Sequence, residues 1–235
     1  MSEISPPSIN PIYKKTVQCP LCNYEYTTSK IRSRYIIPTT IDTDFFTLYK
    51  QERYNPTLYH VHVCSKCGYS HTENFSLSFS PQERKDFNKH LVSRWNYKDF
   101  GGVRTHEDAL KTLKLAVYSA RLKNEEASVL AGLYMRIMWI HRYLNNEDQV
   151  LRFSSLARDA YREAYLVEPL DRPEWPSYKV LYIIGELERR IGNYREAVKN
   201  FSLVLNSRKT KADPHIRSLA EKQWQVTREE SKSRR

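Results

Sequence analysis

Four cysteines carry the most readable chemistry in this chain, as Cys19-Pro-Leu-Cys22 and Cys64-Ser-Lys-Cys67 with forty-one residues between the pairs. A Cys-x-x-Cys turn directs two thiolates at one point, with backbone amides aimed at the sulfurs. Two such turns close a tetrahedron around a zinc ion at about 2.3 Å per bond. Gly68, directly after Cys67, suits the sharp reversal of a knuckle, and Tyr24 and Tyr69 can shield the sulfurs from water. The expectation is one structural Zn2+ held by Cys19, Cys22, Cys64 and Cys67. Sulfur in all four positions leaves no place for an activated water, which argues against hydrolytic zinc chemistry. The alternative is a redox pair. A thioredoxin-type motif belongs at a strand-to-helix junction, whereas the residues after Cys22 (Asn23-Tyr-Glu-Tyr-Thr-Thr28) read as strand, and the second pair would be left unexplained. His60, His62 and His71 read as ordinary strand and turn residues.

The elements that must position these thiols fall into two parts. Residues 16–79 are rich in Thr, Tyr and β-branched residues. Residues 58–63 alternate, with Tyr59, Val61 and Val63 on one face, and residues 74–79 alternate with Phe75, Leu77 and Phe79 on one side. Both read as strands flanking the second pair, with Asn55-Pro56 as the turn before the first. From Ser80 the period becomes helical. Ser80-Pro-Gln-Glu83 and Thr105-His-Glu-Asp108 are capping boxes. Phe87, Leu91 and Trp95 follow the first, and Leu110, Leu113, Val117 and Ala120 follow the second. Asn124 reads as the cap of the next helix, whose stripe is Leu130, Leu133, Ile137, His141 and Leu144. Further helices follow Asn145-Asn146, the prolines at 169, 173 and 176, Gly192-Asn193 and Asp213-Pro214, about seven in all with short turns. The fold class expected is α+β, mostly α: a disordered arm over 1–15, a small zinc-ribbon-like β module over 16–79, an α-helical tetratricopeptide-like repeat domain over 80–230, and a basic tail over 231–235.

The formal net charge of +11 is uneven: residues 1–80 hold eight Lys/Arg against six Asp/Glu, and residues 81–235 hold thirty against twenty-one. A solvated helical surface with basic ends such as Arg208-Lys-Thr-Lys211 accounts for this, with a nucleic-acid footprint as the alternative. The first residues lack the basic start and apolar run of a signal peptide. The most apolar stretch, 128–144, is interrupted by Arg136, His141 and Arg142, so no membrane span is expected. A cytoplasmic location follows, and in that reducing compartment paired cysteines favour metal over disulfides.

The segments Cys19-Pro-Leu-Cys22, 42–70 and 134–144 together resemble a family of uncharacterised bacterial proteins with an N-terminal four-cysteine module and a tetratricopeptide-like tail. The resemblance spans about residues 16–208. The spacing of Asp42, Asp44, Asn55, Pro56 and Cys64 carries most of it. It implies the fold plan and the zinc, and no established activity. Ser65-Lys66 stands where such motifs have proline, which leaves the ligands intact. Asp42 and Asp44 read as turn and cap residues, with a second cation site as the lesser reading.

Residues 183–205 are similar to one tetratricopeptide repeat: Ile184-Gly185, the Gly192–Tyr194 turn, Ala197 and Phe201 fall in register, while Glu188, Val204 and the lack of a closing proline depart from it. In that register Lys179, Tyr182, Glu186, Arg189 and Arg190 line a concave face, with Trp139 and Arg142 as counterparts in the preceding pair. Aromatic and Arg side chains dominate recognition surfaces, which points to a groove for an acidic or C-terminal peptide. A nucleophile elbow, a phosphate-cradling glycine loop and a His-Glu-x-x-His helix are all absent, so no catalytic residue is assigned. The function expected is a zinc-binding, non-enzymatic scaffold for a protein or peptide partner. The alternative is a nucleic-acid-associated factor using the basic surface and the zinc module.

Overall fold

The computed structural model describes residues 9–169, 176–207 and 213–233. It is mostly helical with three small two-stranded sheets, and it divides into two compact units. Among the described residues, no helix is long and apolar enough to cross a membrane.

The first unit comprises residues up to Thr40, Thr47–Glu73 and Leu77–Ser119. Strands β1 (Ile12–Gln18) and β2 (Glu25–Ile31) pair antiparallel from Ile12↔Ile31 to Gln18↔Glu25, with the first cysteine pair in their turn. β1 thus begins inside the stretch expected as a disordered arm, whose first eight residues lie outside the described ones. Strands β3 (Pro38–Ile41) and β4 (Thr47–Tyr49) form a second pair. The third pair, β5 (His62–Val63) with β6 (Ser70–His71), brackets the second cysteine pair.

The strand expected over 58–63 is only its last two residues. Pro56–Tyr59 is a 3-10 turn, because the Asn55 side chain accepts from Thr57 N at 2.9 Å and proline starts the helical turn. Arg104, buried behind it, donates to the carbonyls of Leu58, Val61 and Phe100. The strand expected over 74–79 is absent: Leu77 is 75% exposed, and Ser76 N donates to the Glu125 carboxylate instead of to a ladder.

Helix α1 (Pro81–His90) has the expected reciprocal capping box of Ser80 and Glu83. It stops at His90, so Trp95 lies beyond it and not on its face. Helix α2 (His106–Leu122) is capped by Thr105 and Asp108. Its fully buried stripe is Ala109, Leu113, Ala116 and Ala120; three alanines admit close approach, and the expected Leu110 and Val117 flank the stripe half-buried. The first unit therefore includes α1 and most of α2, and the division does not fall at 79/80.

The second unit comprises Ile41–Phe46, Asn74–Ser76 and residues from Ala120 onward. Its helices are α3 (Ala127–Tyr143), α4 (Glu147–Val167), α5 (Ser177–Arg190), α6 (Tyr194–Asn206) and α7 (Pro214–Ser233). Each packs on the next in sequence, and α5 also meets α7. Asn124, at φ 50°, closes α2 in the left-handed region and does not cap α3, whose N-cap is Glu126. Asn145 (φ 51°) and Gly192 (φ 85°) make the same left-handed exits from α3 and α5. The expected Pro173 and the basic run 208–211 lie outside the described residues.

α3 is deeply buried, with Leu133, Met135, Ile137, Met138 and Ile140 at 2% exposure or less. Gly185 lets α6 close on α5: a Cβ there would lie 2.7 Å from the Phe201 ring. Gly185→Ala should therefore cost about 1–3 kcal/mol in urea unfolding through overpacking. Adding Phe201→Leu should cost less than the sum of the two single changes; additive costs would show that the contact does not limit the packing.

Candidate functional site

The two cysteine turns are built alike. Cys19 N donates to Tyr24 O at 3.0 Å and Asn23 N donates to Cys19 O at 2.9 Å; Cys64 N donates to Tyr69 O and Gly68 N to Cys64 O, both at 2.9 Å. The fifth residue of each turn is left-handed, Asn23 at φ 58° and Gly68 at φ 77°. Asn is the residue after glycine that best tolerates this region, and the equivalence of Asn23 with Gly68 escaped the sequence reading. All four sulfurs lie within 4.8 Å of one another, and Cys19–Cys67 and Cys22–Cys64 are each 3.7 Å apart. A tetrahedron with metal–sulfur bonds of about 2.3 Å has edges of about 3.8 Å, while a disulfide would bring sulfurs to about 2 Å. The donor set fits a four-thiolate metal site, and none of the cysteines is disulfide-bonded.

Outer groups hold each turn by a carbonyl. Arg84 donates to Leu21 O at 2.9 Å, and the Trp95 indole N–H donates to Ser65 O at 2.9 Å with its ring against Gly68. Tyr69 is fully buried, stacked on His71 and edge-on to Phe79 and Phe87, whereas Tyr24 stays 38% exposed beneath Lys66. Burial, reinforced by the neighbouring thiols, pushes the Tyr26 hydroxyl up. His62 and His71 are buried with ring centroids 5.3 Å apart, outside the four-sulfur cluster. Burial and then His71 push His62 down to about 4.

The second unit holds a different constellation, centred on Asp42-Thr43-Asp44-Phe45-Phe46. This segment is a tight turn: Asp42 N donates to Phe46 O at 2.8 Å and Phe45 N to Asp42 O at 2.9 Å. The carboxylates also cap it, accepting from Thr43 N and Phe46 N. That is the turn chemistry expected of Asp42 and Asp44, and the structure adds their charge partners. Arg142 reaches both oxygens of Asp44 at 2.8 and 2.9 Å and Asp42 at 2.6 Å. Arg190 lies 3.0 Å from Asp44 and 3.7 Å from Asp42. The Asp44 side chain is fully buried. Arg142 also lies 3.9 Å over the Phe46 ring.

Phe45 sits at φ 64°, a strained value for an aromatic residue, with its ring 5.9 Å from that of Tyr182. Tyr182 donates to Thr43 O at 2.7 Å, and Thr43 Oγ1 donates to Glu186 at 2.7 Å. Glu186 is bonded by Arg189 at 3.2 Å, which also bonds Glu230 of α7. Burial raises Asp42, but the Arg142 and Thr43 hydrogen bonds and both guanidiniums outweigh it, so its carboxyl lies below its usual range. Glu186 is raised because burial outweighs Arg189.

Five of the seven residues expected to line the groove (Arg142, Tyr182, Glu186, Arg189 and Arg190) are thus brought together; four of them grip this chain's own acidic segment, and Arg189 bonds Glu186 and Glu230. Lys179 stands apart in an ion pair with Asp213 at 3.7 Å. Trp139 stands apart beneath Arg136 at 5.9 Å. Glu188, a departure from the repeat pattern, is fully buried against Arg162 at 2.7 Å, Arg158 at 3.4 Å and Asn193 at 2.8 Å.

A four-cysteine cluster that could hold a metal in one unit and a run of neighbour-packed helices in the other define a two-unit protein of mixed, mostly helical class. The chain belongs to the DUF2225 family, described as "Uncharacterized protein conserved in bacteria", whose model matches residues 12–227. No curated protein and no solved structure matches it.

Removing one partner of a buried charge pair leaves the other uncompensated and costs about 3–5 kcal/mol. Asp44→Ala and Arg142→Met should each lower the unfolding free energy of the helical unit by that amount, read by denaturant titration of helix signal. Lys30→Ala, which breaks the solvent-screened pair with Glu73, should cost about 1 kcal/mol or less. Equal effects from all three would show that the Asp44 pairs are not the stabilising contact.

Proposed function

We propose that this chain is a non-enzymatic interaction scaffold in which a zinc-stabilised module is joined to a tetratricopeptide-like helical unit that holds acidic protein segments. The observation that carries this is the cationic seat of Arg142 and Arg190 around Asp42-Thr43-Asp44, with Tyr182 and Glu186 on the backbone and hydroxyl between them. Two guanidiniums, a tyrosine donor and a carboxylate acceptor form a recognition surface for a short Asp-x-Asp segment. The Gly185–Phe201 contact and the Gly192–Tyr194 turn support the repeat reading.

The chain's own segment fills the seat, so a partner enters by exchange. Its apparent affinity is then its intrinsic affinity reduced by the fraction of molecules with the seat open. An acidic nonapeptide containing Asp-Thr-Asp, titrated calorimetrically, should bind Asp42→Ser/Asp44→Ser at least about tenfold more tightly than the unaltered chain. Adding Arg142→Met to that variant should abolish binding. Failure of the peptide to bind a variant that keeps its helix signal would end this reading.

Zinc is the metal a closed four-sulfur site favours. Metal analysis should find one zinc per chain, and Cys64→Ser should lose it and destabilise the first unit. A variant that stays folded and metal-loaded would refute the ligand assignment, and stoichiometric iron in the purified chain would refute the choice of metal.

A further inference from the structure

Two hollows in the first unit border the same short segment, Lys98–Val103. One, of about 390 Å³, has an apolar floor of Trp95, Phe100 and Leu115, with Lys98, Lys111 and Lys114 around it. The other, of about 550 Å³, takes in Gly102 and Val103, the rings of Tyr13 and Tyr54, and the cations Lys14 and Arg53. No carboxylate lines either hollow. The unit as a whole has sixteen Lys/Arg against nine Asp/Glu, a larger excess than the twenty-two against eighteen of the helical unit. The first unit therefore carries +7 of the formal charge of +11 and the helical unit +4.

The walls are held in place from behind. Trp95 is fixed by its bond to Ser65 O and by its ring on Gly68, so the indole N–H is already used and its remaining ring surface offers apolar contact. Gly101 O, between the hollows, accepts from both Lys14 Nζ and Ser29 Oγ. The cations already lie near rings: Lys98 is 5.1 Å from the Phe100 centroid and Arg53 is 4.8 Å from that of Tyr54. Lys111 has a screened pair with Asp108 at 3.4 Å, in which its side chain is 55% exposed.

Apolar ring surface flanked by several exposed cations is what a strand of stacked bases joined by phosphates requires. An acyl carboxylate would use one cation and leave the others unmatched. We propose that the first unit binds single-stranded nucleic acid along Lys98–Val103. Bases rest on the half-buried Trp95 ring at one end and on the exposed Arg53 guanidinium, which covers the buried Tyr54 ring, at the other, with phosphates on Lys98, Lys111 and Lys114. This surface is separate from the acidic seat, and the proposal stands without the scaffold reading.

The test is fluorescence anisotropy of the full, metal-loaded chain with labelled twelve-mer oligouridylate and oligothymidylate, between about 50 and 200 mM salt. Lys98→Ser/Lys111→Ser/Lys114→Ser alters only exposed side chains. It should weaken binding about tenfold or more and reduce the log–log salt slope by about 2, from roughly 0.7 per phosphate contact on a single strand. Lys50→Ser/Lys85→Ser/Lys89→Ser makes the same change of charge elsewhere on the unit and should stay within about twofold of the unaltered chain. The proposal is overturned by absence of binding at the lower salt, or by equal losses in the two triple variants. Capture of a fluorescent acyl carboxylate that neither oligonucleotide displaces would also overturn it.

Discussion

A carboxylate taken wholly out of water must be met by charge at close range, and in the second unit Asp44 sets that condition. Its two oxygens are taken by Arg142 from the end of α3 and by Arg190 from the end of α5. Both arginines fall in the last turn of their helices, where the negative end of the helix dipole also favours a cation. One loop side chain therefore fixes the spacing of two helix ends. The strained backbone of Phe45 persists because the carboxylates, Tyr182 and Thr43 together over-determine the turn. Buried ion pairs contribute little net stability against apolar packing but are costly to half-remove, so they act here more as a registration device than as glue.

The same logic explains the small clip formed by Lys123. Its fully buried ammonium pairs with Glu125 at 2.9 Å and takes the carbonyl of Ser76, while Glu125 bonds Ser76 N. A segment with alternating apolar residues is thereby held by two charged side chains rather than by a ladder. The first unit meets its polar backbone in a comparable way, with Arg104 on three carbonyls and Arg84 and Trp95 on one carbonyl of each cysteine turn.

What the sequence disclosed followed the range of the interactions. Metal-ligand spacing, capping boxes and the Gly185–Phe201 pair are written within a few residues of each other or in a fixed register, and they were legible. The strand misread over 58–63 had a local signal that alternation outweighed, namely Asn55 as cap and Pro56 as first helical residue. The one at 74–79 had none, since Lys123 and Glu125 lie nearly fifty residues on. Asp42 and Asp44 were readable as turn formers but not as charge partners, because Arg142 stands 98 residues from Asp44 in the chain. Helical register groups Tyr182, Glu186, Arg189 and Arg190, yet nothing local says that the chain places its own segment against them.

That separation also sets an order of events during synthesis. The segment 41–46 leaves the ribosome before any of α3 to α7, with its two aspartates hydrated and unmatched. At about 5–20 residues per second, Arg142 follows Asp44 by several seconds, and Arg190 by longer. The helical unit, most of whose sequence follows Ala120, thus cannot finish until α3 and α5 close on a segment made before them. A ribosome-bound chain halted after α4 holds only one of the two guanidiniums that Asp44 needs.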